Sequence, residues 1–316
     1  MAWSLARPLR PVSKSWGRLR VVSFRTWLDY DRAAIESERM RIKNVSEALG
    51  AEISDIDLAK PLSEDDEALI HQTFLERSVL VFRDQNLSPP EQVKVARMFG
   101  EVVPYPFLAG IPDCPEVIEV LTQPTDSVNF GGGWHTDTPY LETPSLGSVL
   151  YAKELPPKGG DTLFSNMYLA YETLDDETKA LLDGRRALNS GSKRYAKPGD
   201  RSKIYGTKKG EKEKREVKSD NYHPVFRTHP ETGRKALYIS FLHTVGIEGI
   251  DDNEAGDLLD RLYEHQTRDE FQCRVVWKPG SLVLWDNRCV LHNALFDYAG
   301  HTRRMHRVTI EGEKPV

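Results

Sequence analysis

Beyond residue 130 this chain is a succession of short apolar runs, and that pattern most constrains its fold. Runs of this length and composition are typical of strands; they are LGSVLYA, DTLFSN, RKALYIS, CRVVWK, SLVLWDN and the segment around CVLHNAL. Turn residues separate them, as in PPKGG (156–160) and KPGS (278–281). Many short strands with a few early helices predict an α+β, mainly β chain built around a double sheet or jelly roll.

The region before these runs mixes strands and helices. RIKNVSEALGAEISDIDL (41–58) alternates apolar and polar residues, which predicts an opening strand or hairpin. A capping box at residues 63–66 predicts the start of a helix, and residues 78–82 predict a short buried strand. A second capping box at 88–91 predicts another helix, which we expect to run to Gly100, where a C-cap glycine would stand.

Two later segments differ from the β-type runs. A further helix is expected from Asn253 to His265. Residues 193–220 are charged, poor in apolar residues and too long for a simple connection. Loops of that kind are either functional or disordered, so this segment is a candidate lid loop, with a solvated surface stretch as the alternative.

Residues 1–39 are expected to be an N-terminal extension to one domain that covers residues 40–316. From Met1 to Leu28 there are five Arg, one Lys and four Ser but no acidic residue. That composition resembles a targeting peptide, which would indicate a mitochondrial location, although Pro8 and Pro11 would interrupt its helix. We favour the other interpretation, a disordered extension or a start upstream of the native one at Met40.

The composition limits the class of protein. With 39% hydrophobic and 29% charged residues, the 316-residue chain is typical of a globular protein. A net charge of −5 argues against binding nucleic acid through a basic face, and no apolar run is long enough to span a membrane. Three scattered cysteines exclude a disulfide framework and favour a reduced, cytoplasmic location.

The stretch GGGWHTDTPY (131–140) contains a pair of residues that suits a metal. On an extended chain alternate side chains share a face, so His135 and Asp137 would point the same way. The pair alone is a weak signal, because His229-Pro230-Glu231 has the same spacing. A proline and a nearby glycine assign that second pair to a hairpin tip.

The residues that accompany His135 and Asp137 elsewhere in the chain are a more specific signal for a metal site. A catalytic non-haem Fe(II) site uses two histidines and one carboxylate and leaves positions open for substrates and O₂. His292, on a β-type run, is the best candidate for the second histidine, and Arg303 and Arg307 follow it on an extended stretch. The two arginines would share a face, opposite Arg304 and His306. Buried guanidinium groups need anions, and they hold carboxylates by bidentate hydrogen bonds.

These residues lie in motifs that resemble the TauD/TfdA family of Fe(II)- and 2-oxoglutarate-dependent dioxygenases. The motifs, in the family's order and spacing, are WHTDTPYLETPSLGSVLYAKELPPKGGDTLFSNMYLAYETL (134–174), HPVFRTHPETGRKALYIS (223–240) and WDNRCVLHNALFDYAGHTRRMHRVTIEG (285–312). YEHQTRDEFQCRVVWK (263–278) looks closer to the phenoxyalkanoate (dichlorprop-type) branch. The resemblance extends from about Arg41 to the end. It implies a double-stranded β-helix (jelly roll, cupin-like) with flanking helices.

The resemblance assigns roles to individual residues. His135, Asp137 and His292 would be the iron ligands. Thr162 and Arg303 would contact 2-oxoglutarate, with an ordinary strand threonine as the alternative for Thr162, and Trp285 would lie near the co-substrate. Arg307 would contact the substrate anion, with a structural salt bridge as the alternative. The presence of Asp137 implies an oxygenase, because halogenating relatives have a small residue there.

The same resemblance points away from taurine as the substrate. Tyr105 and Leu108 stand where the taurine enzyme has His and Tyr, and Gly131 replaces an Asn. With Phe107, these residues indicate a more apolar pocket, in which Tyr105 either contacts the substrate or belongs to the core.

The implied reaction hydroxylates a C–H bond of a small anionic substrate, such as a phenoxyalkanoate, a sulfonate or a related carboxylate, and releases succinate and CO₂. Where the hydroxylated carbon carries oxygen or sulfur, C–O or C–S cleavage would follow. The alternatives left open are a 2-oxoglutarate-independent metal lyase, a zinc hydrolase and a non-catalytic binding jelly roll. The family also implies a homo-oligomer, either a dimer or a tetramer.

Overall fold

The structure is a computed structural model that describes residues 40–191 and 219–316. The extension expected at residues 1–39 and all but the last two residues of the candidate lid loop lie outside the described residues. Strands dominate the described part of the chain, with a few short helices. The structure therefore confirms the mixed, mainly β character that the sequence predicts.

The strands and helices follow one another in a mixed order. The strands are β1 (Arg41–Asn44), β2 (Ala51–Ser54), β3 (Val79–Phe82), β4 (Val102–Val103), β5 (Val117–Thr122), β6 (Gly147–Glu154), β7 (Thr162–Asn166), β8 (Arg186–Ser190), β9 (Asp220–Pro224), β10 (Phe226–Thr228), β11 (Lys235–Leu237), β12 (Thr244–Ile247), β13 (Gln272–Val275), β14 (Leu282–Asp286), β15 (Val290–Ala294) and β16 (Arg303–Ile310). The helices are α1 (Glu64–Arg77), α2 (Pro89–Arg97), α3 (Met167–Glu172), α4 (Asp176–Leu182) and α5 (Asp252–Gln266). None of the described helices has the length and apolar character needed to cross a bilayer.

The largest sheet has eight strands in the order β1-β2-β3-β14-β6-β16-β4, with β5 also paired to β16. Both of its faces are covered, as the central strand β3 shows. Val79 and Val81 pack into one hydrophobic cluster, whereas Leu80 and Phe82 pack into a second one that includes residues of α1 and α2. Because alternate side chains of a strand face opposite ways, a strand between two cores is apolar throughout.

Three smaller sheets complete the described fold: β13-β7-β15, β12-β8-β9 and the hairpin β10-β11. Phe164 of β7 shares a hydrophobic cluster with Trp285 of β14 and Met305 of β16, so the β13-β7-β15 sheet packs on the large sheet. Several functional residues predicted from the sequence lie on these strands, since β15 carries His292 and β16 carries both arginines.

The predicted helix starts are confirmed by their caps. Ser63 accepts a hydrogen bond from the backbone N–H of Asp66, and Ser88 forms a capping box with Glu91. The predicted end of α2 is wrong, because the helix stops at Arg97 and not at Gly100. The chain leaves the helix early to pair β4 with β16, where a Cβ on Gly100 would lie 3.0 Å from Ile310. The packing of the sheet, which no local signal encodes, sets that boundary.

Candidate active site

His135 and His292 are joined through their backbones. The two residues form an isolated antiparallel bridge, in which each N–H donates to the other's carbonyl at 3.0 and 2.8 Å. The side chains of His135 and Asp137 converge, as the sequence predicted, although only His135 forms a strand bridge. The chain turns after Asp137, at Thr138, whose φ is 53°. Pairing with β15 fixes His135, and Asp137 lies next to it just before the turn.

Three potential metal ligands converge at this bridge. The Nε2 atoms of His135 and His292 each lie 3.8 Å from Oδ1 of Asp137, and all three side chains are buried. Nδ1 of His135 lies 2.8 Å from the carbonyl of Gly133, which assigns the ring proton to Nδ1 and leaves the Nε2 lone pair facing Asp137. Burial lowers the pKa of both histidines, which favours the neutral form that binds metals. This donor set fits a two-histidine, one-carboxylate metal site.

The second oxygen of Asp137 is held by three other groups. Ser148 donates to Oδ2 at 3.0 Å, Asn287 Nδ2 donates at 3.4 Å, and Nη2 of Arg307 makes a charge contact at 2.8 Å. Burial opposes ionisation, but Arg307 and the histidines outweigh it and hold the pKa of Asp137 below its usual range. The carboxylate is therefore ionised, with Oδ2 fixed and Oδ1 directed at the imidazoles.

Arg303 is a buried cation that forms no ion pair within residues 40–191 and 219–316. Within the described residues its Nε and Nη2 atoms have no hydrogen-bond partner, and its guanidinium lies 5.5 Å from the centre of the Trp277 ring. Gly160, with φ 74°, makes room on the other side, because a Cβ there would lie 3.2 Å from Cδ and Nε of Arg303. A buried guanidinium with free donors is a binding site for a carboxylate.

Thr162 lies beside the same indole. Trp277 donates from Nε1 to Oγ1 of Thr162 at 3.1 Å, which leaves the threonine hydroxyl proton free for an acceptor. Trp285, which the sequence placed near the co-substrate, packs against the His292 ring at 4.8 Å and donates to Asn287 at 3.0 Å. The indole that joins Thr162 to Arg303 thus belongs to Trp277, which the sequence reasoning did not single out.

Aromatic side chains extend from Arg307 across the site. The Arg307 guanidinium lies 5.1 Å from the centre of the Tyr105 ring, and Tyr105 contacts Phe107 edge to face at 5.3 Å. Phe107 in turn lies 5.9 Å from the ring of Tyr140. Tyr105 and Phe107 are half-buried, and Leu108 is exposed. The structure therefore places Tyr105 against the predicted anion-binding arginine.

The comparison with known families agrees with this set of residues. Residues 41–309 match the model of the family described as taurine catabolism dioxygenase TauD, TfdA family. The chain belongs to this family. The resemblance read from the motifs is thereby confirmed over most of the chain.

Individual relatives cover the chain almost completely. An alkylsulfatase of Acinetobacter baylyi is 31% identical over 88% of this chain and 86% of its own length. An alpha-ketoglutarate-dependent 2,4-dichlorophenoxyacetate dioxygenase of Cupriavidus pinatubonensis is 34% identical over 82% of this chain and 93% of its own length. The crystal structure of a taurine dioxygenase from Burkholderia xenovorans matches with a TM-score of 0.73 at 31% identity, over 88% of this chain and 93% of that chain.

Besides Trp277, two residues of this TauD/TfdA site were missed in the sequence. Ser148 of β6 and Asn287, in the turn between β14 and β15, both contact the Asp137 carboxylate. Both lie inside the quoted motifs, but Ser and Asn carry no metal-binding signal. A pairing of Asp137 with Asn287 across 150 residues becomes visible only when the strands are assembled.

The competing pair His229 and Glu231 lies where the sequence placed it, in the loop of the β10-β11 hairpin. It contributes nothing to the TauD/TfdA metal set. His229 is nevertheless buried, and with Asp286 and Cys289 it forms a second group of metal-type side chains.

Proposed function

We propose that this chain is an Fe(II)- and 2-oxoglutarate-dependent dioxygenase that hydroxylates a C–H bond of a small anionic substrate with an apolar body. We propose further that residues 40–316 form one domain, in which the large sheet and the β13-β7-β15 sheet are the two halves of a jelly roll. Family membership and the packing of Phe164 between these sheets support this arrangement.

Arg303 carries the proposal. A buried guanidinium with two free nitrogens is unfavourable unless an anion arrives to pair with it. Thr162 and Trp277 beside it add a hydroxyl donor and a flat wall, which suit a dicarboxylate held at its distal end. A lyase or a hydrolase that works without 2-oxoglutarate gives this group of side chains no purpose.

Each residue of the site has a distinct task in the proposed reaction. His135, Asp137 and His292 would hold Fe(II), and Arg303 and Thr162 would hold 2-oxoglutarate. With O₂, the bound metal and co-substrate supply the oxidant, and 2-oxoglutarate is converted to succinate and CO₂ while the substrate gains a hydroxyl group. Trp285, packed on His292, shields the histidine from water and fixes its ring.

The proposed substrate class follows from Arg307 and the aromatic side chains around it. Arg307, which also pairs with Asp137, would supply the cation for a carboxylate, sulfonate or sulfate group, while Tyr105, Phe107 and Tyr140 would supply an apolar wall. The alkylsulfatase and the 2,4-dichlorophenoxyacetate dioxygenase among the relatives are named for substrates of that kind. With such substrates the hydroxylated carbon bears oxygen, so C–O cleavage would follow.

We propose a homo-oligomer, a dimer or a tetramer, in a reducing compartment such as the cytoplasm. The three cysteines are free and buried, which suits that compartment. Light scattering of the purified protein tests the oligomeric state.

Anaerobic titration with Fe(II) and then 2-oxoglutarate tests the central proposal. We expect a visible charge-transfer absorption after the second addition in the wild-type protein, and its loss in Arg303→Ala. Bound iron without that absorption in the wild type would contradict the assignment and favour a metal-dependent lyase. Succinate release with phenoxyalkanoates, sulfonates and sulfate esters then ranks the substrates.

A further inference from the structure

The turn between β14 and β15 links the active site to a second buried cluster. Its residues point alternately to two sides. Asn287 contacts Asp137, whereas its neighbours Asp286 and Arg288 face a group of charged residues on the other side. All three residues are at most 2% exposed. A movement of Asp286 or Arg288 would therefore also move Asn287, which faces the active site.

Asp286 and Arg288 lock the turn with a two-pronged ion pair. Arg288 donates to Oδ1 of Asp286 from Nε at 2.8 Å and from its backbone N–H at 2.9 Å. Its Nη2 donates to Oδ2 at 2.7 Å. Such a fork fixes both distance and plane, which a single hydrogen bond does not.

Two residues of the β10-β11 hairpin loop, His229 and Glu231, contact this ion pair. Nη1 of Arg288 donates to Glu231 at 2.8 Å, and Glu231 also lies 3.2 Å from Nε2 of His71 on α1. His229 accepts backbone N–H bonds at Nδ1 from Glu231 and Thr232, both at 3.2 Å. Its proton is therefore on Nε2, which donates to Asp286 at 3.0 Å.

On the active-site side, Asn287 makes a set of contacts that determines the position of Asp137. Its Oδ1 accepts from the backbone N–H of Asp137 at 3.3 Å, and its Nδ2 donates to Oδ2 of the same residue at 3.4 Å. Its backbone carbonyl accepts from the hydroxyl of Thr136 at 2.8 Å. Asn287 thus holds both the backbone and the carboxylate of a proposed metal ligand.

We propose that Glu231, Arg288, Asp286, His229 and His71 form a strut, buried at its three central residues, that positions the metal ligand Asp137 through Asn287. The strut begins at the half-exposed carboxylate of Glu231 and ends at Oδ2 of Asp137. Loss of its outer anchor lets the turn relax, and Asp137 then presents Oδ1 less accurately to a metal. Glu231 and His229 are positioning residues, and this role rests on the proposed metal site.

The strut is not a second metal site, although its members are metal-type side chains. Both oxygens of Asp286 already accept hydrogen bonds from Arg288 and His229. His229 uses both ring nitrogens, one as acceptor and one as donor. Burial raises the pKa of Cys289 to about 12, so it is a thiol at neutral pH and not a thiolate ligand.

Mn(II) affinity, measured by electron paramagnetic resonance without co-substrate or turnover, tests the proposal. Outer partners of metal ligands typically change affinity about 10–100-fold when removed. We expect Asn287→Ala to weaken Mn(II) binding within that range and Glu231→Gln to weaken it by up to about tenfold. The matched control is Glu172→Gln. Its carboxylate accepts from Arg234 of the same hairpin loop at 2.6 Å but lies outside the strut.

The double variant separates positioning from a general loss of structure. If the strut acts through Asn287, adding Glu231→Gln to Asn287→Ala leaves the Mn(II) affinity unchanged, because the two effects share one route. Wild-type affinity in Glu231→Gln, or full additivity in the double variant, would overturn the proposal. His71→Gln is a milder second variant, expected to act in the same direction. Failure of the wild-type protein to bind Mn(II) would instead contradict the proposed function.

Discussion

Two buried clusters of this protein both contain histidine and aspartate but differ in what they can bind. The first consists of His135, Asp137 and His292, and the second of His229, Asp286 and Cys289, with the ligand atoms of each set within 4.8 Å of one another. In the described structure the Oδ1 atom of Asp137 has only two imidazoles near it, at 3.8 Å. The carboxylate of Asp286, by contrast, is fully used by its neighbours.

The difference lies in where the arginine contacts the carboxylate. Arg307 contacts only Oδ2 of Asp137, so it compensates the charge and leaves the second oxygen available. Arg288 donates hydrogen bonds to both oxygens of Asp286, so neither oxygen is left for a metal. Whether a buried His/Asp group can bind a metal therefore depends on the free lone pairs more than on the residue types.

The largest contrast between the clusters is expected from removing one histidine from each. His135→Ala deletes a ligand, so metal content should fall from about one ion per chain to near zero and succinate release should stop. His229→Ala should still bind a metal ion when the metal is in excess, with the weakened affinity expected of the strut, and should lose about 2 kcal/mol of unfolding free energy, because a buried charged acceptor loses a donor. Metal analysis and urea unfolding of both variants check this. Full activity in His135→Ala would refute the site.

A second contrast concerns the buried arginines. Arg303→Met should raise the KM for 2-oxoglutarate about 100-fold, because a buried charge pair with the co-substrate is lost. Its unfolding free energy should stay level or rise, since the folded chain no longer buries an unpaired cation. Arg288→Met should instead cost about 3–5 kcal/mol, because the buried carboxylate of Asp286 loses its counter-ion, although it keeps the hydrogen bonds from the His229 side chain and from the backbone N–H of residue 288. Equal destabilisation in the two variants would show that Arg303 already has a partner.

The strut should lose its contribution to stability in acid and keep it at neutral pH. The pKa of Glu231 is lowered to about 2 from its usual 4.5. The hydrogen bond from His71 has the largest effect, the ion pair with Arg288 adds to it, and burial opposes both. A lowered pKa stabilises the folded state above the unfolded-state value and loses that contribution as the pH falls towards the folded-state value. The wild-type protein should therefore lose stability more steeply than Glu231→Gln between about pH 4.5 and pH 2. Parallel pH curves would contradict this coupling.

The smallest effect is expected from Cys289→Ala. The buried thiol contacts the hydroxyl of Ser78 at 3.4 Å and behaves as a small apolar group. We expect a loss of about 1 kcal/mol of stability and no change in the number of metal ions bound. A drop in metal content would mean that the second cluster also holds a metal.

The parts of the fold that local chemistry encodes could be read from the sequence. Ser63 and Ser88 mark helix starts, because a cap is satisfied within its own turn. The end of α2 and the turn after His135 could not be read, because contacts with distant strands impose them. The predicted hairpin at residues 41–58 is confirmed by the pairing of β1 with β2.

The same division applies to the site. His135, Asp137 and His292 were predicted because their residue types and motif context carry the signal, and the structure brings them together. Asn287 and Trp277 were not singled out, because their roles consist of contacts with residues more than 100 positions away. The roles of Thr162, Arg303, Trp285, Arg307 and Tyr105 toward co-substrate and substrate stay predictions.

The side chain of Arg303 lies near the Trp277 ring and close to Gly160 of the PPKGG segment, where a Cβ would come within 3.2 Å of its Cδ and Nε. A long cation packed against both groups has fewer rotamers available before any ligand arrives. The entropy that a flexible arginine loses on binding is about 1 kcal/mol or slightly more, and a confined arginine loses part of it during folding. Tight co-substrate binding would then depend on the absence of a side chain at Gly160.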